Sequence, residues 1–170
     1  DLNHPFSIGW ALAFKMMIYG FRREPEQTLK AAQATIDYCT EQAYPFWIAA
    51  AQIMCGWAMF ELGKKEEGLK LMEDGINLFG FIGSIAVYPL FQGVFAEAQL
   101  KMGFNEKAMD SVNEAINLAV ANKEIASEID LYRIKGKILM GISNDNEKDA
   151  EDCFRLSIDK ANESNCKSRE

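Results

Sequence analysis

Apolar residues recur along this chain at steps of three and four positions, the spacing that places them on one face of an α-helix. The clearest examples lie at residues 46–62 and 69–79, and no strand-like alternation of apolar and polar residues competes with them. The pattern predicts eight helices, at residues 5–21, 25–42, 45–62, 65–79, 84–102, 105–121, 125–141 and 146–162.

The helical pattern repeats every 40 residues, because the segment 56–76 aligns with 96–116 so that small residues fall on small residues and an isoleucine closes both. A looser copy lies at 16–36, and a fourth begins at Gly136 and needs two extra residues between 141 and 149. A fixed period of this length is typical of stacked helix pairs. We therefore predict an all-α fold, an α-solenoid of about four antiparallel helix pairs.

One repeat domain is expected over residues 1–163, with repeats at about 5–42, 45–82, 84–122 and 125–162. Residues 164–170 are expected to form a flexible tail or the start of a truncated next helix. The chain begins at Asp1 without methionine, which suggests an excised segment of a longer protein.

Residues that start and stop helices agree with these boundaries. Pro5 and Pro45 lie one period apart at first-turn positions, where a missing N–H has no helical partner to lose. Gly63 and Gly103 fall where first helices end, and a glycine there adopts the left-handed conformation with little strain. Tight turns inside each helix pair follow from these positions.

Two asparagines are candidate helix caps. Asn105 and Asn144 precede predicted helices, and Glu147 follows Asn144 by three residues, as in a capping box. The segment 144–147 is also rich in oxygen ligands, but it lacks the spacing of a calcium loop, so a cap is the favoured interpretation.

Small residues form columns along the repeats. We expect those on first helices to face those on second helices, because small side chains let two helix axes approach closely. The expected partners are Gly56, Ala96 and Gly136 facing Gly68, Ala108 and Ala150.

At these columns the chain resembles the tetratricopeptide repeat superfamily, whose pattern is a small residue, an aromatic residue, a turn glycine and then further small residues. The matching positions are Gly56, Gly63, Gly68, Met72 and Gly75 in one repeat and Ala96, Gly103, Ala108 and Ala115 in the next. The chain departs from the pattern in its 40-residue period, against about 34, and in carrying Met59 and Gln99 at the aromatic position.

The segments that begin at His4, Phe46, Arg133 and Ala150 are similar to a narrower group. That group is the C-terminal helical repeat region of large bacterial signalling ATPases, which are fused to class III cyclase or DNA-binding activator domains and are similar to the maltose-regulon activator. The resemblance implies an interaction or scaffolding module that serves as the regulatory or sensor part of a larger bacterial signalling protein. It assigns no cyclase or ATPase chemistry to this sequence.

In tetratricopeptide-like stacks the first helices line a concave groove, so the resemblance also implies which residues would contact a protein or peptide partner. By period these are Trp10, Met17, Gly20, Ile53, Trp57, Phe60, Leu90, Glu97, Leu100, Asp130, Arg133, Lys137 and Met140. Such a groove would be apolar near its N-terminal end and charged near the other. A peptide with a hydrophobic anchor and an acidic end would suit it.

Charge and hydropathy narrow the class of partner. The net charge is −7 with no cluster of Lys and Arg, which argues against nucleic-acid binding. The longest apolar stretch, residues 8–21, contains Lys15 and is shorter than the roughly 18 to 20 residues that span a bilayer, so no membrane segment is predicted. Four dispersed cysteines are expected to be reduced thiols in a cytoplasmic protein, namely Cys39, Cys55, Cys153 and Cys166.

The residues needed for catalysis are not grouped in the sequence. His4 is the one histidine, so no histidine-based triad or multi-histidine metal site can form, and no glycine-rich phosphate loop is present. Adjacent carboxylates such as Glu66 and Glu67 point to different sides of a helix. We therefore expect no enzyme activity, catalytic residue, cofactor or metal. Two alternatives to a peptide-binding module stay open: a self-associating structural arm, and a small-molecule sensor with its effector between the first helices.

The predicted first helix is apolar around nearly all of its circumference, which is typical of a buried helix. A preceding repeat or domain is therefore expected to pack there in a parent protein. In this chain we expect Trp10 and Phe14 to mediate self-association, most simply as a twofold homodimer.

Overall fold

A computed structural model describes residues 4–84 and 87–164, apart from the side chain of Asn144. Eight α-helices and one short 3-10 turn make up its regular structure, and the described residues contain no strand. The helices are α1 (Pro5–Phe21), α2 (Pro25–Glu41), α3 (Pro45–Glu61), α4 (Lys65–Ile82), α5 (Tyr88–Lys101), α6 (Asn105–Asn122), α7 (Ile125–Ile142) and α8 (Glu147–Glu163). The predicted all-α class is confirmed.

Of the predicted tail at residues 164–170, residues 165–170 lie outside the described part of the chain.

Proline and glycine mark the helix ends much as predicted. Pro5 and Pro45 lie in the first turns of α1 and α3, and Pro25 and Pro89 do the same for α2 and α5. Pro89 also explains why α5 begins at residue 88 rather than 84, since a proline is tolerated in a first turn but not further inside a helix.

The predicted asparagine cap at Asn105 is wrong, and the predicted cap at Asn144 lies two residues before Asn146, which holds the N-cap position of α8. Asn105 is the first residue of α6, which Phe104 precedes, and α8 begins at Glu147 after a 3-10 turn at Asn144–Asn146. Neither helix start has a side-chain cap hydrogen bond. For α6 the reason lies in the preceding turn, where the Phe104 N–H donates to the Gln99 carbonyl and so fixes the residue at which the next helix starts.

The helix turns are built on a backbone conformation that recurs every 20 residues. In the turn after α3 the Gly63 N–H donates to the Phe60 carbonyl (3.1 Å) and the Lys64 N–H to the Met59 carbonyl (2.9 Å), which is a Schellman motif. The left-handed residues at this turn and its equivalents are Arg23, Ala43, Gly63, Gly83, Gly103 and Lys123. From Arg23 to Lys123, successive turns are therefore 20 residues apart, which keeps residues 40 apart at equivalent positions.

The chain divides into two compact units, residues 1–84 and 85–170, each holding two antiparallel helix pairs. In the first unit α1 pairs with α2 and α3 with α4, while α3 also packs on both α1 and α2. In the second unit α5 pairs with α6 and α7 with α8, while α7 also packs on both α5 and α6. The same arrangement of four helices thus occurs twice.

The expected close approach of small residues is present in the first unit. A Cβ atom built on Gly56 would lie 2.5 Å from the Gly68 carbonyl oxygen, and one built on Gly68 would lie 2.5 Å from the Gly56 carbonyl oxygen. In the second unit Ala96 and Ala108 are fully buried in one apolar cluster. Gly136 instead makes room for a ring, since a Cβ atom there would lie 2.6 Å from the Phe154 ring.

Two glycines of α4 allow a matched test of this packing. We expect Gly68→Ala to lower the free energy of unfolding by about 1 to 3 kcal/mol, because the new methyl overlaps the backbone of α3. Gly80→Ala should raise it by about 0.5 to 1 kcal/mol, because nothing lies within 4 Å of the new methyl and alanine favours the helix. Urea unfolding of both variants measures the difference, and equal effects would contradict the described packing.

The left-handed turns allow a second matched test. At Ala43, with φ of 54°, glycine removes strain, so we expect Ala43→Gly to stabilise the chain by about 0.5 kcal/mol. At Gly63, with φ of 95° and nothing within 4 Å of a Cβ atom, alanine adds the same strain, so Gly63→Ala should destabilise by about 1 kcal/mol. Thermal unfolding measures both, and a stabilising Gly63→Ala would contradict the assigned turn.

Candidate interaction surface

The first helix exposes a row of large apolar side chains, which we name the α1 stripe. Its members are spaced four residues apart and are 43–54% exposed: Phe6, Trp10, Phe14 and Ile18. Twelve residues of helix carry this row about 18 Å along the helix axis. An adjoining side of α1 is buried through Gly9, Ala13, Met16 and Gly20. The helix predicted to be apolar all round therefore has one covered face and one open apolar face.

Aromatic contacts hold the α1 stripe in place. The rings of Trp10 and Phe14 lie 4.5 Å apart, and Phe14 meets Trp47 of α3 edge to face at 6.4 Å. Phe6 packs edge to face on Tyr44 at 5.8 Å. Such ring pairs add to the stability given by burial alone. The stripe is thus a preorganised surface, with two of its rings anchored on the start of α3.

Three of the four residues of α3 that align with the stripe are buried, namely Ala50, Met54 and Ala58. One period after Phe14 and Ile18 come Met54 and Ala58, and these are 6% and 0% exposed. The terminal methyl of Met54 lies against Gly20, so that α1 covers this part of α3. The same helix face is therefore covered by a preceding helix in the second pair and open in the first.

The second unit repeats this relation in α7. Three periods after Phe14 and Ile18 of the stripe come Ile134 and Ile138. Both are buried in the cluster that contains Val112 and Ile116 of α6. A Cβ atom on Gly93 of α5 would lie 3.1 Å from the Ile134 side chain. In α7, as in α3, this face is covered by the preceding helix pair.

Three residues assigned to the apolar end of the groove are inaccessible. Ile53, Trp57 and Phe60 are 0%, 4% and 3% exposed. Ile53 packs against Gly75, and the Phe60 backbone packs against Gly68, so both belong to the α3–α4 contact. Because α3 has α1, α2 and α4 around it in one unit, almost its whole circumference is covered. These residues are core residues, and a partner cannot reach them on this surface.

Three further groove positions lie on α1. Trp10 is half exposed on the α1 stripe, while Met17 is only partly accessible. Gly20 is buried beneath Met54. Of the contacts predicted at the apolar N-terminal end of the groove, Trp10 is thus the residue that offers a large accessible side chain.

The four predicted charged residues are brought together between α5 and α7. The Lys137 ammonium lies 2.8 Å from Glu97 Oε1, and Arg133 lies 3.8 Å from both Glu97 and Asp130. The carboxylates are more buried than the cations that surround them. Two cations offset two carboxylates, so the cluster links the first helices of its unit. An acidic peptide end would have to compete with Glu97 for both cations.

A second charged pair joins α7 to α8 and was missed by the sequence analysis. The Lys160 ammonium lies 2.6 Å from Glu128 Oε2, where the glutamate side chain is 7% and the lysine side chain 26% exposed. This hydrogen bond raises the pKa of Lys160. Lys160 Nζ also lies 5.8 Å from the centroid of the Tyr132 ring.

The repeat register contains a signal for this pair. In the earlier repeats, the position of Glu128 is occupied by Ile8, Ile48 and Tyr88. The position of Lys160 is occupied by Tyr38, Leu78 and Leu118. Opposite charges thus enter two otherwise uncharged columns in the same repeat. Comparing columns across repeats would have indicated the pair.

Potential reactive groups show no sign of activation. Cys39, Cys55 and Cys153 are free thiols, and burial raises the pKa of each, which keeps them protonated at neutral pH. Cys166 lies outside the described residues. Within the described part of the chain no three metal-ligating side chains form a cluster, and no helix combines the length and hydropathy needed to cross a bilayer.

Comparison of the sequence with protein-family models found no match, and comparison with curated proteins found none. The resemblance to tetratricopeptide repeats therefore stays a prediction.

Substitutions of the Glu128–Lys160 pair should have unequal effects. Lys160→Met leaves the buried Glu128 carboxylate without its ammonium partner. We therefore expect this substitution to lower the free energy of unfolding by about 3 kcal/mol. Glu128→Gln should lower the free energy of unfolding by only about 1 kcal/mol, because the Lys160 side chain is partly exposed and its ammonium can be hydrated. The folded-state pKa of Lys160 is raised, so the pair's contribution is fully present at neutral pH and is lost only as the pH rises past 10.5. Urea unfolding at neutral pH checks the order, and a reversed order would contradict the pairing.

Proposed function

We propose that this chain is a protein-interaction module whose binding surface is the α1 stripe. The observation that carries the proposal is the exposure of the α1 stripe on one helix, because the equivalents of Phe14 and Ile18 in both α3 and α7 are covered by a helix pair. Folded proteins seldom leave a large contiguous apolar patch in water unless it serves an interaction. Tryptophan is also among the residues that contribute most to protein interfaces.

The partner expected on the stripe is an apolar helical surface rather than an acidic peptide. The stripe has no acidic side chain, and Lys15 is the one charged residue of α1. Its covered equivalents receive helices that present small and aliphatic side chains. An extended peptide would leave much of its backbone without hydrogen-bond partners on such a surface.

The broader biological role rests on the resemblance to tetratricopeptide repeats. It supports a non-enzymatic regulatory or sensor part of a larger bacterial signalling protein, acting in the cytoplasm. The columns at Gly56 and Gly68 and the turn at Gly63 support the superfamily through their packing and backbone conformation. No residue of the chain is assigned a catalytic role.

Site-specific photocrosslinking tests the surface in living cells. A photoreactive amino acid at Ile18, which lies on the stripe, should give protein adducts. The same group at Phe81, which is 89% exposed on α4, serves as the control and should give far fewer. Adding Trp10→Glu to the Ile18 probe should abolish the adducts, because a carboxylate on the stripe must be desolvated by any apolar partner.

Absence of adducts at Ile18 above the Phe81 background would overturn the proposal. Helix content and unfolding midpoint are measured in parallel, and both should stay near wild type in Trp10→Glu, because half of that side chain already faces water. Adducts that persist in the Trp10→Glu variant would also contradict the assigned surface.

A further inference from the structure

The last helix pair exposes residues whose equivalents are covered earlier in the chain. An isoleucine closes each repeat, and Ile36, Ile76 and Ile116 are partly or fully buried while Ile158 is 59% exposed. Met140 of α7 is 45% exposed, and its equivalent Leu100 packs on Gly141. We name Met140 and Ile158 the α7–α8 patch.

The patch matches the surface that covers α7 within the second unit. There, Leu100 of α5 and Ile116 of α6 belong to the group of side chains that bury Ile134 and Ile138. One repeat later, Leu100 and Ile116 correspond to Met140 and Ile158 of the patch. The residues of the α7–α8 patch therefore occupy the repeat positions that, one repeat earlier, pack against the first helix of the next pair.

The α1 stripe has the complementary register. Phe14 and Ile18 occupy the positions of Ile134 and Ile138, which are the residues of α7 that a preceding pair buries. The stripe and the patch are thus equivalent to the two sides of a contact that the chain already makes between α5–α6 and α7. We propose that the α1 stripe binds the α7–α8 patch of a second copy of this chain, in a head-to-tail association. This inference rests on the proposed function, because it names the occupant of the same stripe.

Charge favours the head-to-tail pairing over a twofold pairing of two α1 helices. Lys15 gives α1 a charge of +1, while α7 and α8 together carry eight acidic and six basic residues, a net −2, with the excess of acidic residues on α8. A twofold α1 contact would bring two lysines together with no carboxylate on either helix. Binding of α1 beside α8 instead joins opposite charges, which speeds association and disfavours the alternative.

Such a contact is heterologous, so each copy has one donor surface and one acceptor surface. That property gives a complementation test by analytical ultracentrifugation of the full 170-residue chain. The stripe variant carries Trp10→Glu and Phe14→Glu, and the patch variant carries Met140→Glu and Ile158→Glu. Leu156→Glu is the control, since Leu156 is exposed on α8 at a position whose equivalents Ala34, Asp74 and Glu114 are also exposed.

Wild type and the Leu156→Glu control should associate as concentration rises into the high micromolar range. The stripe variant and the patch variant should each sediment as a monomer. An equimolar mixture of the two should form a dimer and nothing larger, because one intact stripe meets one intact patch. Circular dichroism verifies helix content, and the single changes Phe14→Glu and Ile158→Glu replace a double variant that loses it.

A monomeric wild type at high micromolar concentration would overturn the inference. So would a patch variant that still dimerises, which is the result expected of a twofold α1 contact, or a mixture that stays monomeric. If Ile18 crosslinks a different protein while wild type stays monomeric, the proposed function stands and the head-to-tail inference falls. If Ile18 captures nothing, both fail.

Discussion

The repeat register of this chain depends on the backbone turn that recurs at 20-residue intervals from Arg23 to Lys123. Five of its six left-handed residues are followed by an N–H that bonds five residues back, which closes the helix at a set length. Equal lengths keep residues 40 apart at the same height and on the same face. That registry is why Gly56 meets Gly68 and why α3 and α7 present the same face to the helix pair before them.

Burial in such a stack is decided by the neighbours of a helix rather than by its own composition. Helices α1 and α3 are both strongly apolar, yet α3 buries ten of its residues and α1 buries four. The difference arises because α3 has neighbours on three sides within its unit. The apolar face that remains open on α1 is therefore a surface of about the size and chemistry of a helix contact, and it is the natural place for an interaction.

Charged groups serve mainly to join helices here. Glu97 links α5 to two cations of α7, and Glu128 links α7 to Lys160 of α8. Both carboxylates are mostly buried, and each has a cation at hydrogen-bonding distance. The groups that looked like a charged groove end are thus largely engaged with one another.

The sequence by itself determined the local structure: the helix boundaries, the period of 40, the prolines at helix starts, the glycines at turns and the small residues of the close contacts. These follow from backbone preferences and from spacing along one or two helices, which a linear pattern records directly. It failed at Asn105, where the preceding turn and not a side-chain cap sets the helix start. Only the tertiary structure decided which apolar residues stay exposed, because Phe14 and Met54 occupy equivalent positions one period apart and differ in whether another helix lies over them. Exposure depends on how segments that are distant in the sequence pack on one another. A periodic pattern is the same in every repeat, so it does not show which repeat lacks a neighbour.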